Sequence, residues 1–308
     1  MKLVALAGGT GAAKFLRGLS RVMDPADLSV IVNTGDDAEI WGLHVSPDLD
    51  TVTYTLGGLI DAAKGWGVRD ETFHALEHMA RFGEPTWFTL GDRDLATHLH
   101  RTRLLREGRT LSEATRSIAS SLGVTAALMP MSDRPVRTQL RGPDGWLDFQ
   151  EYFVRDKAQV AVREVRYAGA ESAAPAAGVL EAIHTARGVI VCPSNPVTSI
   201  GPILAVPGLA EALARTPATT LAITPIVGAD AVSGPAGRLM ATSGLPVSAT
   251  GVAQAYASWL DVLVFDERDS AQASEIARLG VSPVTAQTVM ARREDEVSLA
   301  RRVLDVLA

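Results

Sequence analysis

Five carboxylates crowd one stretch of the chain, 30–54, where an apolar run ending at Val32 gives way to Asp36, Asp37, Glu39, Asp48 and Asp50. Carboxylates held close together repel and raise one another's pKa, so such a cluster points to a cation among them. Hard oxygen ligands at the end of a strand suit Mg²⁺, and Mg²⁺ in turn suggests a phosphate-bearing substrate. Asp36, Asp37, Asp48 and Asp50 are the candidate metal positions. The same stretch also reads as a solvated loop in which Asp50 caps a helix over 51–63. Taken alone, the aspartates leave both readings open.

A second feature lies upstream. An apolar strand over 2–7 runs into Gly8-Gly9-Thr10-Gly11, and Phe15, Leu16, Leu19 and Val22 then carry the spacing of one helical face. Glycines let backbone N–H groups approach an anion, and a helix start adds partial positive charge, so Gly9, Thr10 and Gly11 form a candidate phosphate cradle. The dinucleotide fingerprint fails at Lys14 and the Walker loop at Ala13 and Phe15, which weighs against a nicotinamide dehydrogenase. Lys14, read as lying in the first helical turn against the dipole, favours a bound anion.

Two further loops carry polar groups at expected strand ends. After a strand over 86–90, Asp92 is read as the N-cap of a helix over 95–106, which leaves Arg93 as a planar donor for a phosphate or a heterocycle carbonyl. After a strand over 188–192 comes Pro193-Ser194-Asn195-Pro196, a stiff polar loop placed where open α/β sheets bind ligands. Ser194 and Asn195 are candidate nucleotide contacts. His74 and His78 stand one turn apart on a helix over 69–82, whose Phe73, Leu76, Met79 and Ala80 are expected to face inward. That pair has no evident third ligand or metalloprotease glutamate and reads as surface or internally satisfied histidines.

Strand, glycine turn, helix and strand in succession predict an α/β chain: a Rossmann-like three-layer sandwich with a mostly parallel central sheet. A helix over 112–122 capped by Ser112, strands near 219–224, 261–265 and 284–287, and a last helix over 293–307 continue the alternation. Between them the pattern turns to period two, with a hairpin at Asp144-Gly145. The chain therefore reads as one domain, with a core of about 1–125 and 175–308 and a β-rich insertion of about 126–170. The insertion is a natural homodimer contact or active-site cover. No apolar run approaches the length of a membrane span, the 2–7 run reads as a strand and not a secretion signal, and the formal charge of −6 disfavours nucleic acid and anionic membranes. A single cysteine, Cys192, fits a core position and a cytoplasmic protein.

The motifs become specific when taken in order: Gly8-Gly9-Thr10-Gly11, Asn33-Thr34-Gly35-Asp36-Asp37, Pro47-Asp48-Leu49-Asp50-Thr51, Gly65-Trp66-Gly67, Leu90-Gly91-Asp92-Arg93-Asp94-Leu95-Ala96, Pro130-Met131-Ser132-Asp133 and Pro193-Ser194-Asn195-Pro196. As a set they resemble the 2-phospho-L-lactate transferase family, which assembles the deazaflavin coenzyme F420. The likeness runs to at least Leu204; Ala12-Ala13 stands where a further glycine is common. It implies transfer from a guanosine-diphosphate-activated three-carbon acid to the ribityl hydroxyl of Fo (7,8-didemethyl-8-hydroxy-5-deazariboflavin), releasing GMP. On that resemblance Asp50 and Arg93 touch Fo. Asp37 and Asp50 are the expected catalytic pair, holding Mg²⁺ or its waters, with Asp36 and Asp48 as alternatives and Asp50 as a further candidate for the hydroxyl proton. The acid derives from phospholactate, phosphoenolpyruvate or phosphoglycerate, which differ by one small group. A non-catalytic sugar-nucleotide-binding regulator of the same superfamily is the alternative reading.

Overall fold

The computed structural model describes residues 1–232 and 234–308. Seven strands build its central sheet: β1 (Leu3–Ala7), β2 (Leu28–Val32), β3 (Ala127–Pro130), β4 (Gly188–Val191), β5 (Thr219–Ile223), β6 (Val262–Asp266) and β7 (Ser282–Ala286). They lie in the order β7-β6-β5-β4-β1-β2-β3, and every pairing is parallel. A parallel sheet covered on both faces needs apolar side chains on both, which is why β1 reads Leu-Val-Ala-Leu-Ala without a polar break. Leu3, Ala5 and Ala7 enter one core layer and Val4 and Leu6 the other, as the two-residue period of a strand requires. The order reverses between β1 and β4. This switch point, at the strands' carboxyl ends, is where an open α/β sheet offers a ligand crevice.

Helix α1 (Gly9–Leu19) leaves the sheet directly after β1 and packs against the C-terminal helix Arg293–Leu307. Gly18 makes that packing close, because a Cβ there would collide with the Glu296 backbone. Arg17 and Glu296 pair across the same contact. Beyond β2 a short hairpin (Ala38–Ile40 with Leu43–Val45) leads into α2 (Pro47–Leu56), and α3 (His74–Arg81), α4 (Asp92–Arg106) and α5 (Leu111–Ser121) follow before β3.

Several local expectations are corrected. Helix α2 begins at Pro47, whose fixed φ suits a first helical position, so Asp50 lies inside the helix instead of capping it. No strand forms over 86–90. Helix α3 is shorter than 69–82 and buries none of its residues, and His74 and His78 are exposed. Asp92 does not cap α4; its carboxylate accepts the His74 and Ala75 amides at 3.1 and 2.9 Å, capping α3. Glu71 returns the arrangement by accepting the Arg93 and Asp94 amides at 2.7 and 3.0 Å. Each helix start is thus satisfied by an acid from the other's approach segment, a pairing invisible to reading one helix at a time. Thr110, not Ser112, caps α5 through a capping box with Glu113.

The insertion is an antiparallel sheet of three strands, Gly145–Asp148, Arg137–Gly142 and Glu164–Ala168 in that spatial order. Its hairpin turns between Gly142 and Gly145, where Gly145 takes φ 130°. The segment 127–130, placed in the insertion on sequence grounds, is instead the edge strand β3 of the central sheet. Two π-helical turns occur, Glu151–Arg155 and Pro196–Ile200, and further helices connect the strands from β3 to β7.

Candidate active site

At the switch point the loop after β1 and the loop after β4 meet. Ser194 Oγ donates to the Gly8 carbonyl at 2.9 Å, and Asn195 Oδ1 accepts the Val197 amide at 2.9 Å, fixing the second loop as it winds into its π-helical turn. A Cβ on Gly11 would run into the Pro193 carbonyl oxygen, so the residue must be glycine for the two loops to touch. Gly9 adopts φ 75°, a conformation that also favours glycine. The first-turn amides of α1, on Gly9, Thr10 and Gly11, have no intrahelical partner by position. Above them opens a cavity of about 360 Å³, within the range of small-molecule sites.

Four acids line it: Asp36, Asp48, Asp50 and Asp94. Asn33, fully buried at the end of β2, donates to Asp36 Oδ1 at 3.1 Å, Asp48 Oδ2 at 2.9 Å and the Thr198 carbonyl at 3.2 Å. Asp48 Oδ1 accepts the Gly9 amide at 2.7 Å, tying the carboxylates to the glycine loop. Burial raises the Asp36 carboxyl well above its usual range, and repulsion from Asp48 and Asp37 adds to it against the Asn33 bond. Burial likewise pushes Asp48 up to about 6, over the opposing bonds from Asn33 and Gly9 and with added repulsion from Asp37. Asp37 sits behind this pair. One of its oxygens takes the Ser46 hydroxyl at 3.0 Å and the His44 ring at 2.9 Å, while Oδ1 is buried with no partner among the described residues. Uncompensated negative charge and an orphaned carboxylate oxygen are the signature of a site that fits a hard divalent cation.

A second network lines the wall built by α2 and α4. Arg101, 1% exposed, places its guanidinium on both oxygens of Asp50, with Nη1 to Oδ2 at 3.1 Å. Arg101 Nη1 also lies 3.3 Å from His98 Nδ1. A guanidinium can only donate, so His98 Nδ1 is the acceptor and the proton resides on Nε2. That atom faces Asp94 Oδ1 at 3.3 Å without the alignment of a hydrogen bond, and Tyr54 donates to the same oxygen at 2.7 Å. Asp50, Asp94 and His98 are near enough to one another to share a metal. The guanidinium seated on Asp50 already supplies the cation there, so this trio fits a metal less well than the pair Asp36 and Asp48, which line the cavity with no salt-bridge partner among the described residues.

The expected residues are therefore distributed unevenly. Gly9, Thr10, Gly11, Asp36, Asp48, Asp50, Ser194 and Asn195 line one cavity. Asp37 is a supporting residue one layer out. Lys14 is displaced from the expected place: because α1 starts at Gly9, it falls in the second turn, with Nζ 3.5 Å from the Met290 carbonyl and outside the lining. Arg93 is exposed and also outside the lining; its guanidinium donates to the Arg69 carbonyl at 2.9 Å. Asn33, Tyr54, His98 and Arg101 carry roles that the sequence reading did not assign. Their signal is polar residues at core spacing, Asp94, His98 and Arg101 on α4 facing Asp50 and Tyr54 on α2.

The family model for 2-phospho-L-lactate transferase CofD matches residues 3–302. A 2-phospho-L-lactate transferase from Methanosarcina acetivorans is 43% identical over 302 residues, covering 98% of each chain. A phosphoenolpyruvate transferase from Streptomyces griseus is also 43% identical, over 312 residues, covering 99% of this chain and 98% of its own. Among solved structures, a UPF0052 family protein from Bacillus halodurans superposes with a TM-score of 0.65 at 18% identity, covering 98% of each chain, which establishes likeness of fold alone.

Proposed function

The chain belongs to the 2-phospho-L-lactate transferase CofD family, and from that premise we propose that it transfers a phosphate-bearing three-carbon acid from a guanosine-diphosphate-activated donor to the ribityl hydroxyl of Fo. The observation that carries this reading is that a glycine loop of phosphate-binding form and a cluster of buried carboxylates share one cavity, joined by the bond between Asp48 and Gly9. In the transfer the hydroxyl oxygen bonds to the phosphorus carrying the acid, and the bond from that phosphorus to the GMP oxygen breaks. Asp36 and Asp48 would hold Mg²⁺, which when bound supplies charge neutralisation at the diphosphate, with Asp37 adding negative charge from behind them. The amides of Thr10 and Gly11, with the Ser194-Asn195 loop, hold the phosphates in line, while the Gly9 amide stays on Asp48. Asp50, fixed by Arg101, orients the acceptor hydroxyl from the α2 wall. With both of its oxygens held by a guanidinium it acts through position, and the outgoing hydroxyl proton passes to solvent.

The donor is left as phospholactate or phosphoenolpyruvate, since relatives of both names stand at equal identity. A cytoplasmic homodimer belongs to the same proposal, checked by sedimentation of the purified protein. The test of activity is incubation with Fo, MgCl₂ and each of the guanylylated three-carbon acids, read by mass spectrometry. One donor should yield a product with the mass of Fo plus the phospho-acid less one water, together with GMP. Absence of product from every donor, with no binding of GDP, overturns the reading.

A further inference from the structure

A further part of the cavity wall, distinct from that of α2 and α4, comes from the insertion. Phe149, Gln150, Phe153 and Val154 line it, presented together by the π-helical turn Glu151–Arg155. Gln150 is only 6% exposed, yet its carboxamide has no hydrogen-bond partner among the described residues. Its polar end therefore opens onto the cavity, where a ligand offering a matching donor and acceptor can pair with it. Its support is firm. Tyr152 is buried beneath the turn, Glu151 accepts the Asp148 amide at 3.2 Å and Arg155 Nη1 at 2.6 Å, and Arg238 clamps the Ala158 carbonyl at 2.8 Å. Phe149 and Phe153 stack at 5.5 Å with an interplanar angle of 11°, a flat apolar flank beside the amide.

We propose that Gln150 is a substrate-reading residue whose carboxamide pairs with the lactam edge of a planar heterocycle seated against Phe153. A carboxamide offers an acceptor and a donor side by side in one plane, complementary to a ring carbonyl next to a ring N–H. The charged groups of the cavity lie on the floor and the α2–α4 wall, so the insertion wall is suited to a neutral ring. The assignment rests on the transferase reading, in which two rings carry that edge: guanine, with O6 beside N1–H, and the pyrimidinedione of the deazaflavin, with N–H between two carbonyls. Aromatic flanks combined with one buried amide serve either ring, and the two respond differently to a change at Gln150.

The experiment is calorimetric titration of the full-length protein, in MgCl₂, with GDP and with Fo separately, for wild type, Gln150→Ala and Gln150→Glu, each checked by thermal melting. Gln150→Ala should weaken one of the two probes by about tenfold to a hundredfold and leave the other within about twofold. If the ring is guanine, Gln150→Glu recovers GDP affinity, because a carboxylate accepts both N1–H and the neighbouring amino group. If it is the pyrimidinedione, Gln150→Glu loses Fo further than the alanine variant, since a carboxylate faces two carbonyls. Affinities for both probes unchanged in a folded Gln150→Ala protein overturn the assignment while leaving the transferase reading intact, and so does an equal loss of both. A wild-type protein that binds neither probe overturns both together.

Discussion

Arg101 holds both carboxylate oxygens of Asp50 across the interface of α2 and α4, and both residues are nearly excluded from solvent. A bidentate guanidinium fixes a carboxylate in orientation as well as charge. In a buried pair the loss of one partner strands the other, and such truncations cost about 3–5 kcal/mol, whereas replacing both with neutral groups of like shape is far milder. Arg101→Ala should therefore destabilise the protein by that amount, and Asp50→Asn with Arg101→Gln should recover much of it in urea melts. The double variant should still lose transferase activity by two orders of magnitude or more. Recovery of activity along with stability would show that the pair serves the fold alone.

The raised carboxyls of Asp36 and Asp48 give a pH dependence whose sign runs opposite to that of an ordinary ion-paired acid. A group whose folded pKa lies above its unfolded value binds its proton more tightly in the folded state, so folding stability falls as pH rises. For Asp48 the window opens near the unfolded carboxylate value and closes just above about 6. Metal-free protein should accordingly gain stability from this cluster on going from pH 7.5 to pH 5. Added MgCl₂ should raise the melting temperature at pH 7.5 and do so much less at pH 5, where protons compete for the same oxygens. Asp48→Asn should stabilise the metal-free protein at pH 7.5 and abolish most of the Mg²⁺ shift. An equal Mg²⁺ shift at both pH values would remove these carboxylates from the metal site.

How much of this was legible in the sequence depends on whether the signal is local. The strand–glycine–helix opening, the parallel core and the C-terminal helix over 293–307 were readable because apolar periodicity records burial directly. The gathering of Gly9, Asp48 and Ser194 in one cavity followed from strand ends in a doubly wound sheet. What failed was long-range. Glu71 and Asp92 exchange caps between two helices, so the start of α4 was misplaced by reading Asp92 as its cap, and the start of α3 was set too early with no cap in view. Lys14 was placed in the wrong helical turn for a related reason, since a helix boundary shifted by three residues rotates a side chain by most of a turn. Arg101 and Gln150 were missed because a buried polar residue looks, in sequence, like any exposed one.

Contact between the Gly11 position and the Pro193 carbonyl leads to a third prediction. The obstacle to a methyl group there is backbone, which no rotamer change relieves. Gly11→Ala must part the loops after β1 and β4, disturbing the bond from Ser194 to Gly8 as well. Overpacking of this kind costs about 1–3 kcal/mol. GDP affinity should fall at least tenfold, because the same amides define the phosphate cradle. Titration calorimetry beside a thermal melt checks both, and unchanged GDP affinity would place the phosphates elsewhere.

Asp266, at the carboxyl end of β6, ties the site's scaffold to the last part of the chain and titrates in the ordinary direction. Its Oδ2 accepts the amide and hydroxyl of Thr288, each at 3.1 Å, and its Oδ1 accepts Arg268 Nε at 2.6 Å. Burial pushes the carboxyl up, but the bonds from Arg268 and Thr288 outweigh it and hold it down at about 2. A folded pKa below the unfolded value means that the stabilisation is fully present above the unfolded value and is lost as pH falls through about 2. Arg268 is mostly exposed, which screens its share, so the contribution at neutral pH is about 1–2 kcal/mol. Asp266→Asn should therefore be less stable than wild type by about that amount at pH 7, and the difference should shrink steadily between pH 4 and pH 2. Urea melts across that range measure it. A difference that persists undiminished at pH 2 would mean that Asp266 acts through shape and not charge, since asparagine retains the carboxyl's outline while lacking the ionised oxygens that Arg268 and Thr288 meet.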